Sequence, residues 1–204
     1  MLPHSCSSIL CVLASYSVLL GLSCPVISRA QSTPVSKLNL RAALVLTPEF
    51  CATQIKKGKW MSNQERFDVG KAVCSELGPA LKDVLTEVTS VDATAAAGDA
   101  QIILVPRFID VTATQAKIAF SNRELVLLVE WTAKDRSGKT LWLETVQGSA
   151  KHHIGNTFTY KKNLKLIVKD SSKDLAAQSA DRISASAQLR HLAQAGEATQ
   201  AGQN

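Results

Sequence analysis

Residues 100–148 read AQIILVPRFIDVTATQAKIAFSNRELVLLVEWTAKDRSGKTLWLETVQG, and how this stretch folds decides the architecture. It contains three extended runs. Ile102-Ile103-Leu104-Val105 shows no alternation, as expected of a strand covered on both faces. Pro106 follows and cannot donate to a sheet ladder, which predicts an edge or a bulge there. In the second run Leu125, Leu127, Val129, Trp131 and Ala133 alternate with Glu124, Val126, Leu128, Glu130 and Thr132, a period of two. Asp135-Arg136-Ser137-Gly138-Lys139 is turn chemistry, with Gly138 free to take positive φ. Leu141, Trp142, Leu143, Thr145 and Val146 form the return strand. The stretch predicts a meander of three antiparallel strands.

Toward the N-terminus, Leu38, Leu40, Ala42, Leu44 and Leu46 alternate with Asn39, Arg41, Ala43 and Val45, which predicts a further strand ended by Thr47-Pro48. Glu49 to Asn63 reads as a loop. Phe67, Gly70, Val73, Cys74, Leu77, Leu81, Val84, Leu85 and Val88 recur at three- and four-residue spacing, one apolar helical stripe capped by Ser62 or Asn63. Gly78-Pro79 predicts a kink or two short helices. Val91 to Asp99 is a connection of small residues. Toward the C-terminus, Leu164 to Val168 fits a helical turn or a short strand. Leu175, Ser179, Ile183, Ser186 and Leu189 mark a helix over about Ser172–Leu192, and residues 193–204 read as a disordered tail.

The fold expected is therefore α+β: a two-layer sandwich with a four-stranded, mostly antiparallel sheet and two helices on one face, in the order β-α-β-β-β-α. One domain over 38–192 suits a chain of 204 residues. Aromatics are only 5% of it, so the core must rest on Leu, Val, Ile and Ala. The net charge of +6 is spread out. No basic stripe interleaved with aromatics appears, which argues against nucleic acid. An attraction to anionic lipid or glycolipid is compatible with it.

The first thirty residues read as a secretory signal. Ile9–Leu22 is an apolar run of fourteen residues, too short to span a bilayer comfortably, and Ser28-Arg29-Ala30 is a small-x-small cleavage site. Residues 31–37 would then be a leader. Gly21-Leu22-Ser23-Cys24 approximates a lipoprotein box, giving the alternative of a signal over 1–23 with Cys24 as the lipidation site. Membrane association is expected only if Cys24 is lipidated. Cys6 and Cys11 leave with the signal in either case, so Cys51 and Cys74 remain as a pair. In an oxidising compartment they are expected to form a disulfide, closing a loop of about 24 residues worth roughly 3 kcal/mol.

Motifs for chemistry are few. His152-His153 is the only histidine pair, and neighbours on a strand point to opposite faces, so one metal could not take both without a turn. There is no Gly-x-Ser-x-Gly elbow, no cysteine nucleophile setting, no phosphate loop and no zinc spacing. No catalytic, cofactor or metal site is expected. Asp110, Glu124 and Glu130 could meet across the sheet. Pro106, Trp131 and Trp142 are candidates for an interaction surface, the proline for an open edge and the tryptophans for an aromatic face. The favoured reading of the tryptophans is the other one, that at least one packs under the helices as core.

The strand RAALVLTPEF, the helix around VCSELGPALKDVL, and the pair DAQIILVPRF and LVLLVEWTAKDRSGKTLW, behind an export signal, resemble small envelope lipoproteins of diderm bacteria. The block is similar to the YajG type, and more distantly to LptE, the lipoprotein partner of the lipopolysaccharide-assembly barrel. That resemblance implies a two-layer α/β sandwich and a non-enzymatic role at the outer membrane. The expected function is an extracytoplasmic accessory protein, periplasmic or outer-membrane-associated, that binds an envelope protein, a lipid or a glycolipid. The alternative is a secreted hydrolase-like enzyme whose site is assembled only in the fold.

Overall fold

The computed structural model describes residues 37–56, 66–113, 122–153 and 160–201. The elements run β1 (Leu38–Val45), α1 (Pro48–Cys51), β2 (Ile55–Lys56), β3 (Arg66–Phe67), α2 (Val69–Val84), β4 (Leu85–Val91), β5 (Ile102–Ala113), β6 (Asn122–Lys134), β7 (Thr140–His153), α3 (Tyr160–Ala185) and α4 (Ala187–Ala201). All lie in one compact unit, Pro34–Asn204. The fold is mixed α+β, as expected, but the strand and helix counts are not. Among the described residues there is one five-stranded sheet, ordered β4-β1-β5-β6-β7, and a two-stranded β2-β3 ribbon.

The fifth strand is β4. The apolar stripe runs through Leu85 and Val88, which suggested a helix reaching that far. The backbone turns extended at Leu85 instead, with φ −117° and ψ 148°, directly after α2. The sequence LTEVTSV is rich in β-branched residues, whose stiff side chains favour a pleated surface. It pairs parallel with β1, Ala42 opposite Val88 and Val45 opposite Val91. β1 also pairs parallel with β5, over Ala42–Leu44, so the sheet is half parallel and half antiparallel. The meander β5-β6-β7 stands as read, and its last turn closes with Gly138 at φ 85°.

In α2 the residues Val69, Val73, Leu77 and Leu81 are fully buried, one per turn. The helix starts at Val69, after Asp68; Ser62 and Asn63 lie outside the described residues. It runs unbroken past Pro79, which sits on the exposed side. Its first turn presses on α1: a Cβ on Gly70 would lie 2.3 Å from the Phe50 carbonyl oxygen. Cys51 and Cys74 are joined by a disulfide with Cα atoms 5.8 Å apart and a sequence separation of 23. Its reduction, or Cys51→Ala with Cys74→Ala, is expected to cost about 3 kcal/mol, mainly by freeing the unfolded chain. Urea midpoints with and without reductant measure this; coincident curves would show the bond contributes nothing.

The C-terminal helices differ from the expectation. Leu164–Val168 is helical, within a 26-residue α3. Residues 193–201, read as tail, belong to α4, with Leu189 and Ala193 buried. The two helices break at Ser186, whose hydroxyl accepts from the Leu189 N–H. The inner face of α3 is lined with small residues: Ser171, Ser172, Ala176, Ser179 and Ala180 are buried. Ser171, Ser172 and Ser179 donate to carbonyls one turn back in their own helix, so none of these hydroxyls needs an acceptor across the interface. Small, self-satisfied residues let α3 approach the sheet closely, and at Gly148 a Cβ would lie 2.4 Å from Leu175. Residues 1–36, including Cys24 and the cleavage site, lie outside the described residues. Among the described residues no helix is long and apolar enough to cross a membrane.

Candidate functional site

The pairing registers divide the meander into two faces. Pro106, Trp131 and Glu144 share one row, and Phe108, Val129 and Val146 the next. These rows lie under the helices: Trp131 and Val129 are fully buried, and Trp142 is 7% exposed. The alternate residues form the other face. Val105, Thr132 and Leu143 make one row, Arg107, Glu130 and Thr145 another, and Leu128 stands opposite Gln147.

The cover on that second face is uneven. From β1 through α2 to β4 the chain steps one way across the sheet; from β4 to β5 it steps back over β1. Both are parallel crossovers, and right-handedness in opposite directions places them on opposite faces. The strap 92–101 thus crosses the second face at β1, where Ala43 and Val45 are buried. It is held by Arg136, which donates to the Asp99 and Ala100 carbonyls, and by the Gln101 N–H on the Arg41 carbonyl. Nothing equivalent covers β6 and β7 among the described residues. Leu143 is 59% exposed, Ile109 at the β5 bulge is 46% exposed, and Val105, Val126 and Leu128 are half-buried. An Arg107–Glu130 ion pair at 2.7 Å crosses the middle of this face. Such an exposed pair contributes at most about 1 kcal/mol.

This corrects the surface assigned to Pro106, Trp131 and Trp142. All three are buried on the helix side. Pro106 sits two residues past Leu104, where pairing to β1 ends, so its missing N–H leaves no gap in that ladder. Trp131 donates from its indole nitrogen to Ser179 Oγ at 2.9 Å, inside the core. Among the described residues, Phe50 stacks on Phe108, ring centres 4.6 Å apart.

The remaining polar candidates are dispersed. Asp110 accepts from the Val111 N–H and the Thr112 hydroxyl, Glu130 pairs with Arg107, and Glu124 stands opposite Lys151. His152 meets Asp170 of α3 at 2.7 Å, with Arg123 opposite it on β6 and 8% exposed. His153 turns to Asn122, at 3.4 Å. Ser171 and Ser172, beside Asp170 in sequence, donate into the α3 backbone, and the His152–Asp170 pair ties β7 to α3. Asp174 accepts the Ser149 N–H, which blunts the outer edge of β7 at that point.

An open groove of about 460 Å³ lies between α4 and the β6–β7 turn, lined by Gln101, Arg136, Ser137 and Leu192. Its polar groups are committed to the fold. The Asp135 carboxylate accepts from the Ser137 hydroxyl and from the Ser137 and Lys139 N–H groups. These bonds, the Ser137 hydroxyl foremost, hold its carboxyl below the usual range.

No family model matches the chain, and no curated protein matches it in sequence. The chain is similar to solved structures. Protein XCC0632 from Xanthomonas campestris, of the DUF330 family, superposes with a TM-score of 0.50 at 6% identity, covering 71% of this chain and 86% of its own. A minor lipoprotein from Acinetobacter baumannii gives 0.44 at 15% identity, covering 71% and 92%. At such identities the likeness concerns the fold alone.

Proposed function

We propose that this chain is an exported accessory protein of a bacterial cell envelope, periplasmic or tethered to the outer membrane, that acts by binding a partner protein or a lipid and catalyses nothing. The observation that carries this is the half-covered sheet. Helices bury one face throughout, while the β6–β7 part of the other presents Leu143 and half-buried aliphatics around a single ion pair. Exposed apolar area of this kind, rimmed by polar groups, suits contact with another molecule. Export is supported by the signal-like first thirty residues and by the Cys51–Cys74 bridge, a bond that persists in oxidising compartments. The resemblance of RAALVLTPEF and VCSELGPALKDVL to the YajG type, and more distantly to LptE, points to the same setting.

Two measurements test it. The intact mass of the chain from its own envelope should equal that of residues 31–204, or of 24–204 carrying acyl chains; an unprocessed cytosolic chain would refute export. Extraction in mild detergent should bring down a second protein or a lipid. Recovery only as a lipid-free monomer would count against the binding role.

A further inference from the structure

α3 opens with a run of lysines that the fold does not use. Lys162, Lys165, Lys169 and Lys173 are exposed, and at 100° per residue all four fall within about 80° of arc. Leu166, 38% exposed, lies in the same ridge. The acidic residues nearby, Asp170 and Asp174, lie on the flank turned to β7, occupied by His152 and the Ser149 N–H. None of the four lysines forms an ion pair among the described residues.

This arrangement works against the helix that carries it. Spacings of three, four and four set each lysine beside the next, and like charges at those separations destabilise a helix. The first turn has no acidic residue, and cations near a helix N-terminus oppose its dipole. A local rule broken twice without a compensating contact marks a surface kept for something outside the chain. The ridge is about 17 Å long at roughly 1.5 Å per residue. Four ammonium groups with a partly exposed leucine at their flank match lipid phosphates at the surface with an apolar interior just beneath.

We infer that the Lys162–Lys173 face of α3 rests on an anionic phospholipid surface, with Leu166 entering the headgroup layer. This deepens the envelope reading and rests on it for where such a surface would be met. The test uses the processed chain with an environment-sensitive fluorophore on Leu166→Cys; the bridged cysteines do not react with it. Vesicles containing phosphatidylglycerol should shift its emission to the blue, pure phosphatidylcholine should not, and about 0.5 M salt should abolish the shift.

Changing all four lysines to Gln should weaken vesicle affinity at least about tenfold, since each contributes roughly fivefold near an anionic bilayer. The substitution relieves repulsion, so the fold is retained. A charge-matched control, Lys71, Lys82, Lys134 and Lys139 to Gln, should stay within about twofold. An equal loss in the control, an equal shift on both vesicles, no shift, or a response only to a soluble acidic polypeptide would overturn the inference. An unprocessed mass would sink the export reading and leave a positive vesicle result standing.

Discussion

Gly148→Ala is expected to cost the domain about 3 kcal/mol or more, out of the 5–15 kcal/mol typical of a domain this size. The added methyl would meet the Leu175 Cβ, N and Cα, all within 2.5 Å. These atoms belong to the helix backbone and its first side-chain carbon, so no rotamer change can relieve the clash. α3 would have to lift off β7. That movement would strain the His152–Asp170 contact and the Ser149–Asp174 bond on one side, and the Trp131–Ser179 bond on the other. Gly138→Ala gives the comparison: nothing lies within 4 Å of its Cβ position, and only its φ of 85° opposes a side chain. It should cost about 1–2 kcal/mol. Urea midpoints for both variants decide the matter. A Gly148→Ala protein as stable as the parent would show that α3 does not pack on β7 in this way.

What the residues disclose follows how local the interaction is. The β6–β7 hairpin was legible because alternation, the Asp135–Lys139 turn and Gly138 all sit within thirty residues of each other. The buried face of the C-terminal helices was legible from Leu175, Ser179 and Ile183 of α3, Ser186 at the break and Leu189 of α4, all of them buried, but the break that divides one expected helix into two was not. β4 was not legible, because Leu85 and Val88 are three apart and so continue the helical period and not a strand's period of two, and no turn residue separates them from α2. Only the parallel pairing with β1 decides it, and that pairing joins residues nearly fifty apart. The α4 extension through Gly196 was hidden by its composition, since small polar residues promise little burial. The surface read into Pro106, Trp131 and Trp142 failed for a related reason: sequence shows alternation but not which face receives the helices. The lysine ridge escaped notice because Leu164–Val168 suited either element, and only as a helix do Lys162, Lys165, Lys169 and Lys173 line up.

Trp131→Ala should be the most damaging truncation in the core, at about 3–5 kcal/mol, because the indole is fully enclosed and its removal leaves a large void. Two milder variants separate packing from hydrogen bonding. In Ser179→Ala the indole N–H is left without its acceptor in a dry interior, a loss of about 1–3 kcal/mol. In Trp131→Phe most of the buried area stays, and Ser179 Oγ still donates to the Leu175 carbonyl at 2.7 Å, so no polar atom is stranded. That change should cost less than Trp131→Ala. Ser179 both accepts from Trp131 and donates to Leu175, and Leu175 is the residue pressed on Gly148. Changes at these positions should therefore fail to add: the Trp131→Phe/Ser179→Ala pair should be less damaging than the sum of its parts by about 1 kcal/mol. Strict additivity would show that the indole and the Ser179 hydroxyl are not coupled, and a Trp131→Ala loss below about 1 kcal/mol would place the indole outside the core.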